Sequence, residues 1–161
     1  MGLVQFVFSA IATYFLVIVL LFVVTCVFRM MQFKKAGIEG WKAWIPFYWT
    51  YVEYDLYCKK EYFWVWLILS ALAGACSKSG FLSSVFGIAQ CALTVYMMYF
   101  KARAYGHDWG YTVGLVFLNT IFEGILGLGH DEYQGNQSQG IAFLDKAIDF
   151  VKGLFSGKKE E

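Results

Sequence analysis

Long apolar runs alternate with short polar segments along this chain, and the lengths of the runs predict its helices. Apolar residues fill Gly2–Phe28, and shorter apolar runs cover Glu61–Ala75, Phe81–Phe100 and Tyr111–Gly129. A helix needs about 20 such residues to cross a bilayer. The second run is short for a crossing, so it must begin earlier, tilt or thin the bilayer. The pattern predicts an all-α integral membrane protein with about four transmembrane helices.

An aromatic and charged segment separates the first two runs. It contains the only proline of the chain, and its interfacial residues are Trp41, Trp44, Pro46, Tyr48 and Trp49. Trp and Tyr favour the membrane–water interface because each has an apolar body and a polar tip. Proline fits the first turn of a helix, where its missing N–H costs nothing. We therefore expect residues 47–57 to form a short interfacial helix.

The C-terminal part changes character after residue 129. Residues 130–140 are polar and rich in Gly, Gln and Asn, which is typical of a linker. Residues 141–156 place apolar side chains on one face and Asp145, Lys146, Asp149 and Lys152 opposite them. This amphipathic helix is too short to span, so it lies in the headgroup plane or packs on a partner. The domains are therefore a membrane domain at 1–129, the linker, the amphipathic helix and a disordered tail at 157–161.

Composition supports the membrane class. The chain is 59% hydrophobic and 16% charged, whereas soluble domains are about one quarter charged. Its formal net charge of +1 provides no field that would attract nucleic acid. The bilayer itself is the first expected partner.

Basic residues predict the orientation of the chain. Eight of them fall in the expected inner loops, and the outer turn contains only Lys78. Because positive loops stay on the cytoplasmic side, the N-terminus is expected outside. Four spans would place the tail outside as well, and a re-entrant fourth segment would place it inside.

Glu123 is the most informative polar residue, since it is the lone acid inside a predicted span. A charge there costs at least about 2.5 kcal/mol on insertion scales. The carboxyl must therefore face other helices or water, find a partner or stay protonated. It is either an ion- or proton-sensitive site, or a structural group bonded to Asn119 or wetted near the surface.

The third span offers a polar seam that could face Glu123. Gln90 and Thr94 lie on one helical face with small residues. Small residues let helices approach closely, and an amide can bond across the interface. With Asn119 and Glu123 these residues form the candidate intramembrane seam. It either lines a pore or is ordinary helix packing.

Other reactive residue types give weaker signals. Glu53 and Asp55 are expected in a salt-bridge network with Lys101, Arg103 and Lys42. The His107–Asp108 and His130–Glu132 sets fall at opposite ends of the predicted fourth span, so we expect them to stay apart. Cys58, beside two lysines, is chemically suited to acylation, although a plain buried thiol is the simpler interpretation. Without a zinc spacing or catalytic motif, we expect no metal, no cofactor and no enzymatic activity.

Two ordered motifs resemble a known family. Residues 40–48, GWKAWIPFY, are followed by Tyr51, and residues 101–106, KARAYG, precede residues 125–129, ILGLG, and Tyr133. This pattern is similar to a GWxAxIPxYNxY family of small bacterial membrane proteins of unknown function. Trp49 stands where that pattern has Asn. The resemblance implies a multi-pass protein of the bacterial inner membrane, joined in some relatives to a signal-peptidase-like domain, which is not present here.

These observations together predict a non-enzymatic structural or accessory subunit. Such a subunit would self-associate, as a homo-oligomer, or dock to another membrane protein. The alternative function is a pore, channel or transporter built on the polar seam.

Overall fold

Residues 2–156 are described by a computed structural model. They form seven α-helices and one 3₁₀ helix, with no β-strand among these residues. The helices are α1 (Gly2–Lys35), α2 (Tyr48–Tyr57), α3 (Lys60–Ala75), α4 (Gly80–Ala104), α5 (Trp109–Phe117), α6 (Asn119–Leu128) and α7 (Ala142–Ser156), and the 3₁₀ helix covers Gly40–Trp44. Helices make up 80% of this part of the chain, so the all-α prediction is confirmed. The expected disordered tail at 157–161 lies outside the described residues.

Two helices, α1 and α4, are long and apolar enough to cross a membrane. The candidate spans are Val4–Lys35 and Gly80–Ala104. Only 6% of the apolar window of the first and 11% of that of the second are buried. Core helices of soluble proteins are mostly buried, so these two helices present apolar surface to their surroundings. The helix α3 is shorter, at 16 residues and about 24 Å.

The predicted fourth span is broken into two helices. The chain leaves helical geometry at Leu118, with φ −125° and ψ 47°, and α6 begins at the next residue. Gly114 lies so close to the Phe122 ring that a Cβ atom there would overlap it. The Tyr111 hydroxyl also donates to the Phe122 carbonyl oxygen over 3.0 Å. The segment is therefore a helical hairpin, and neither half reaches the roughly 20 residues that a crossing needs.

The packed core lies at one end of the molecule, called the base here. The base is the end of the molecule at which α1 ends, at Lys35, and α4 ends, at Ala104. Its fully buried side chains include Phe33, Tyr54, Tyr57, Tyr62, Leu115 and Leu126. The linker after α6 is fastened there too, because the Tyr133 hydroxyl donates to the Leu56 carbonyl oxygen over 2.7 Å. The backbone N–H of Gln134 donates to the carbonyl oxygen of Ala104 over the same distance.

The first two thirds of α1 take no part in this core. Every residue from Val4 to Val23 is exposed, and only the final part of the helix packs on α6 and the 3₁₀ helix. The hydroxyls of Ser9 and Thr13 bond to carbonyls of their own helix, at 3.0 and 2.8 Å. We refer to Val4–Val23 as the bare segment of α1.

The aromatic segment differs in detail from the prediction. Pro46 lies in a turn, and α2 begins two residues later at Tyr48. Phe47 between them has φ +64°, a left-handed conformation that is unfavourable for a bulky residue. This turn reverses the chain between the 3₁₀ helix and α2, so Pro46 precedes the helix instead of occupying its first turn.

The amphipathic helix α7 docks on the start of α3. Asp145 accepts hydrogen bonds from Lys59 Nζ at 2.7 Å and from the Tyr62 hydroxyl at 2.8 Å. Lys152 bonds Glu61 at 3.0 Å. The opposite side of α7 leaves Phe143, Phe150 and Leu154 exposed. The apolar side chains of α7 are therefore divided between two sides, because Leu144 and Ile148 pack against the core on the side of Asp145.

We expect the docking of α7 to weaken in acid. Hydrogen bonds from Lys59 and Tyr62 lower the pKa of the Asp145 carboxyl. Stabilisation by a carboxyl with a lowered pKa is complete above the unfolded-state pKa and is lost as the pH falls through the folded-state value. Hydrogen exchange of residues 142–156, corrected for intrinsic rates, should therefore accelerate below about pH 4.

The control for this prediction is Asp145→Asn. Its exchange in α7 should already be fast at pH 7 and should show little further acid dependence. Unchanged protection of α7 in the wild-type protein at pH 3 would contradict the prediction.

Candidate functional site

Four charged side chains from four helices meet at the base. Lys101 Nζ of α4 lies 2.9 Å from Glu53 Oε1 of α2 and 2.6 Å from Glu123 Oε1 of α6. Arg29 Nε of α1 lies 3.2 Å from the same Glu53 oxygen. The Lys101 side chain is 1% exposed, and the two carboxylates are 5% and 3% exposed. We call Arg29, Glu53, Lys101 and Glu123 the charged cluster.

The last turns of α1 complete the polar contacts of α6. Gln32 Nε2 donates to Glu123 Oε2 at 2.7 Å and to the Glu123 carbonyl oxygen at 2.9 Å. Lys35 Nζ bonds the carbonyl oxygens of Leu126 and Gly129 at 2.6 and 2.8 Å. A cation at a helix C-terminus satisfies carbonyls that have no partner within the helix. Both oxygens of the Glu123 carboxylate are therefore bonded, and α6 is capped by α1.

Pairing within the cluster favours the charged form of Glu53 and balances the formal charges. Burial favours the neutral form of Glu53, but the adjacent Lys101 and Arg29 outweigh burial and lower the pKa of its carboxyl. The cluster contains two acids and two bases, so its formal charges cancel. Buried charges need such pairing, because the cost of removing an isolated ion from water is several kcal/mol.

A cavity of about 390 Å³ lies beside the cluster and extends along α4. Its wall contains all four residues of the predicted seam: Gln90, Thr94, Asn119 and Glu123. Trp49 and Trp66 border it from α2 and α3. We call this cavity the groove. The structure brings the seam residues to one place, although Thr94 and Asn119 hydrogen-bond to carbonyl oxygens of their own chain segments, and the expected bond between Asn119 and Glu123 is not present.

Several polar groups beside the groove, among them the Gln90 amide, have no side-chain hydrogen-bond partner within residues 2–156. Arg29 uses only Nε, through its bond to Glu53, so its two terminal nitrogens remain available. Glu53 accepts both of its bonds at Oε1, which leaves Oε2 available. The Tyr54 hydroxyl is buried without a partner. Polar groups without a protein partner are normally satisfied by water or a polar ligand.

The interfacial signature residues frame the base and do not converge on one site. Trp41, Trp44, Pro46 and Tyr48 are exposed, and the Trp41 and Tyr48 rings stack at 6.5 Å. Trp49 is different, since its ring lies under the Arg29 guanidinium at 4.9 Å. Trp49 therefore positions a charge of the cluster through a cation–π contact.

The two histidine-containing loops meet, and our expectation that they stay apart was wrong. His107 Nε2 lies 3.1 Å from Asp131 Oδ2, and the His107 ring stacks on Tyr111 at 4.1 Å. The hairpin explains this contact, because α6 returns the chain to the side from which α5 began. No cluster of three His, Cys, Asp or Glu side chains within the described residues could hold a metal ion.

The remaining predicted polar contacts were partly found. Glu53 does pair with Lys101, but Arg103 instead bonds the Tyr99 hydroxyl at 3.1 Å, and Lys42 pairs with Glu39 at 3.4 Å. Cys58 is a free thiol, 3% exposed. Burial raises its pKa to about 12, which disfavours the thiolate needed for acylation or nucleophilic chemistry.

Sequence reasoning missed the partners of Glu123. Arg29 and Lys101 were counted as loop charges, and Gln32 was given no role. A usable signal was present, because Arg29, Gln32 and Lys35 recur every three residues and so share one helical face. An acid in an apolar segment generally pairs with a cation. The polar face at the end of α1 could therefore have been recognised as the partner of Glu123.

Comparison with known proteins places the chain in a family. Residues 41–136 match the family of unknown function DUF5684, which covers more than half of the chain, and the protein belongs to this family. No curated protein and no solved structure is significantly similar to it. The matched range includes Glu53, Lys101 and Glu123, whereas Arg29, Gln32 and Lys35 lie before it.

Proposed function

We propose that this protein is a non-enzymatic, multi-pass membrane subunit that associates with itself or with another membrane protein. The bare segment of α1 carries the proposal. It is long enough to cross a bilayer, and every residue of it is exposed, including Phe22, whose ring lies 5.9 Å from the Trp49 ring. A helix of this length that lies outside the core is available to pack against a helix of another subunit.

Further features support this membrane arrangement. In it, α1, α3 and α4 cross the bilayer, and the α5–α6 hairpin enters from the base and returns. Backbone polar groups at membrane depth must be satisfied within the protein. The Leu118 N–H donates to the Gly114 carbonyl oxygen, and the Leu118 carbonyl oxygen accepts from the N–H groups of Ile121 and Phe122. Trp41, Trp44 and Lys35 then lie at the inner interface of a bacterial inner membrane, and the linker lies on the same side.

Native mass spectrometry in lipid nanodiscs tests the proposed association. Ser9→Trp places a bulky ring on the helical face that contains Ser9 and Thr13. This ring should obstruct helix packing and reduce the assembled fraction several-fold. The Ser9 hydroxyl bonds only its own helix, so the fold of the monomer should not change. Ile11→Trp is the matched control because it lies on the opposite face of the same helix. A strictly monomeric wild-type protein without a co-purifying partner would refute the proposal.

The alternative function is conduction or transport through the groove. It is favoured by one observation, namely that the four seam residues line a common cavity. The cluster argues against an open path, since Lys101 is held by two carboxylates at the closed end. Flux through proteoliposomes discriminates, because conduction that does not change in Glu123→Gln excludes the seam as its pathway.

A further inference from the structure

The groove combines a charged end with a long, less polar wall. Its charged end is formed by Arg29, Glu53 and Lys101 at the base, and its far end reaches Gly87. From Gly87 to Lys101 the α4 axis rises by about 21 Å. A Cβ atom at Gly87 would meet nothing within 4 Å, so the far end is open space. A cavity of this form suits an elongated amphiphile better than a compact solute.

The charged end also specifies the chemistry of a ligand. The two available nitrogens of Arg29 are donors that match a phosphate or carboxylate. The available Oε2 atom of Glu53 accepts hydrogen bonds and favours an ammonium group. Because Arg29 and Glu53 are bonded to each other at 3.2 Å, these free functions are neighbours. Their formal charges cancel, so the complementary headgroup also contains one charge of each sign.

The wall beyond the charges accepts a hydrocarbon chain. Trp66, Met97 and Met98 line it, together with Gly87 and Cys91 of α4. Methionine adapts its shape to flexible apolar ligands, and aromatic rings offer broad apolar contact. Gln90, which makes no side-chain hydrogen bond within residues 2–156, lies within this wall, eleven residues before Lys101 on α4.

We propose that the groove binds a lipid whose headgroup joins a phosphate to a primary ammonium, with its acyl chain lying along α4. The phosphate bonds the terminal nitrogens of Arg29, and the ammonium donates to Glu53 Oε2. The inference goes beyond the association proposed above, which rests on the bare segment of α1 and uses none of these residues.

The test compares four ligands on the full chain in a maltoside detergent. They are lysophosphatidylethanolamine, lysophosphatidylcholine, lysophosphatidic acid and free phosphoethanolamine. Native mass spectrometry should show lysophosphatidylethanolamine bound about tenfold more tightly than either other lysolipid, which is the size of one charge-assisted hydrogen bond. Free phosphoethanolamine should bind far more weakly, because it lacks the chain.

Two variants with matched controls locate the binding. Arg29→Gln should lower affinity for lysophosphatidylethanolamine about tenfold. Arg103→Gln, which removes an exposed cation at the end of α4, should not. Since Arg29→Gln also removes a contact of the cluster, Gly87→Trp is the second variant. It fills the far end without touching a charge and should also weaken binding. Gly74→Trp, where a Cβ atom likewise meets nothing within 4 Å, is its control.

Four results would overturn the proposal. Equal affinity for the three lysolipids removes the headgroup assignment. Equal affinity for free phosphoethanolamine makes the site one for a soluble ligand. Unchanged binding in Gly87→Trp and Arg29→Gln places the lipid elsewhere. A dimer that Gly87→Trp dissociates, without a bound lipid in the wild-type protein, makes the groove a site for a second copy of the chain. Loss of assembly in Ser9→Trp affects only the proposed function.

Discussion

Lys101→Met should lower the free energy of unfolding by about 3–5 kcal/mol. This is the usual cost of removing one partner of a buried ion pair, because the other charge then stays buried without compensation. The side chain is 1% exposed and is bonded to two carboxylates at 2.9 and 2.6 Å. Methionine fills a similar volume, so packing changes little and the charge is the main loss. Glu53 retains Arg29, whereas Glu123 retains only neutral donors. Denaturation by sodium dodecyl sulfate in mixed micelles measures the difference.

The control and a second substitution isolate the role of the charge. Arg103→Met removes an exposed cation from the same helix and should change stability by no more than about 0.5 kcal/mol. Adding Glu123→Gln to Lys101→Met should recover part of the loss, because it removes the acid that has no other cation. If the double variant is less stable than Lys101→Met alone, the buried charge of Glu123 is not the origin of the effect.

Gly127→Leu should separate α6 from α1 and destabilise the base by about 1–3 kcal/mol or more, as overpacking does in well-packed interiors. A Cβ atom at Gly127 would lie 2.9 Å from the Phe28 carbonyl oxygen and 3.3 Å from the Phe28 Cα atom. Backbone atoms cannot rotate away, so the helices must move apart. The contacts of Gln32 and Lys35 with α6 would then lengthen. Thermal unfolding in detergent measures the loss.

Gly110→Leu is the matched control for this substitution. It lies in α5 of the same hairpin, and a Cβ atom there meets nothing within 4 Å. Replacing a helical glycine in open space generally stabilises a helix by up to about 1 kcal/mol. Equal effects of the two substitutions would show that the close approach at Gly127 does not hold α6 on α1.

Most of the helices could be predicted, because apolar run length and helical periodicity are local properties of the chain. The runs that became α1, α3 and α4 and the amphipathic pattern of α7 were found in this way. The break at Leu118 could not be predicted from such averages. The segment around it is mostly apolar, with Asn119 and Thr120 directly after the break, and its geometry depends on tertiary contacts, such as the approach of the Phe122 ring to Gly114.

The candidate site was predictable in part for the same reason. Gln90, Thr94, Asn119 and Glu123 were recognised as polar residues in apolar segments, which is a local signal. Their neighbours Arg29 and Lys101 were assigned to loops because both follow the apolar runs directly. Whether a terminal lysine points into the bundle or toward water depends on where the acid of another helix lies. That information is tertiary, and periodicity does not contain it.

The bonds between α1 and α6 also constrain the order in which the protein forms. Gln32 and Glu123 are separated by 91 positions, as are Lys35 and Leu126. At a synthesis rate of about 5–20 residues per second, α6 follows α1 by roughly 5–18 s. During that interval the end of α1 has neither its acid partner nor the helix that it caps. Among the described helices α1 is therefore one of the last to gain all of its contacts, and Gln32 and Lys35 bond to water or to other molecules until α6 arrives.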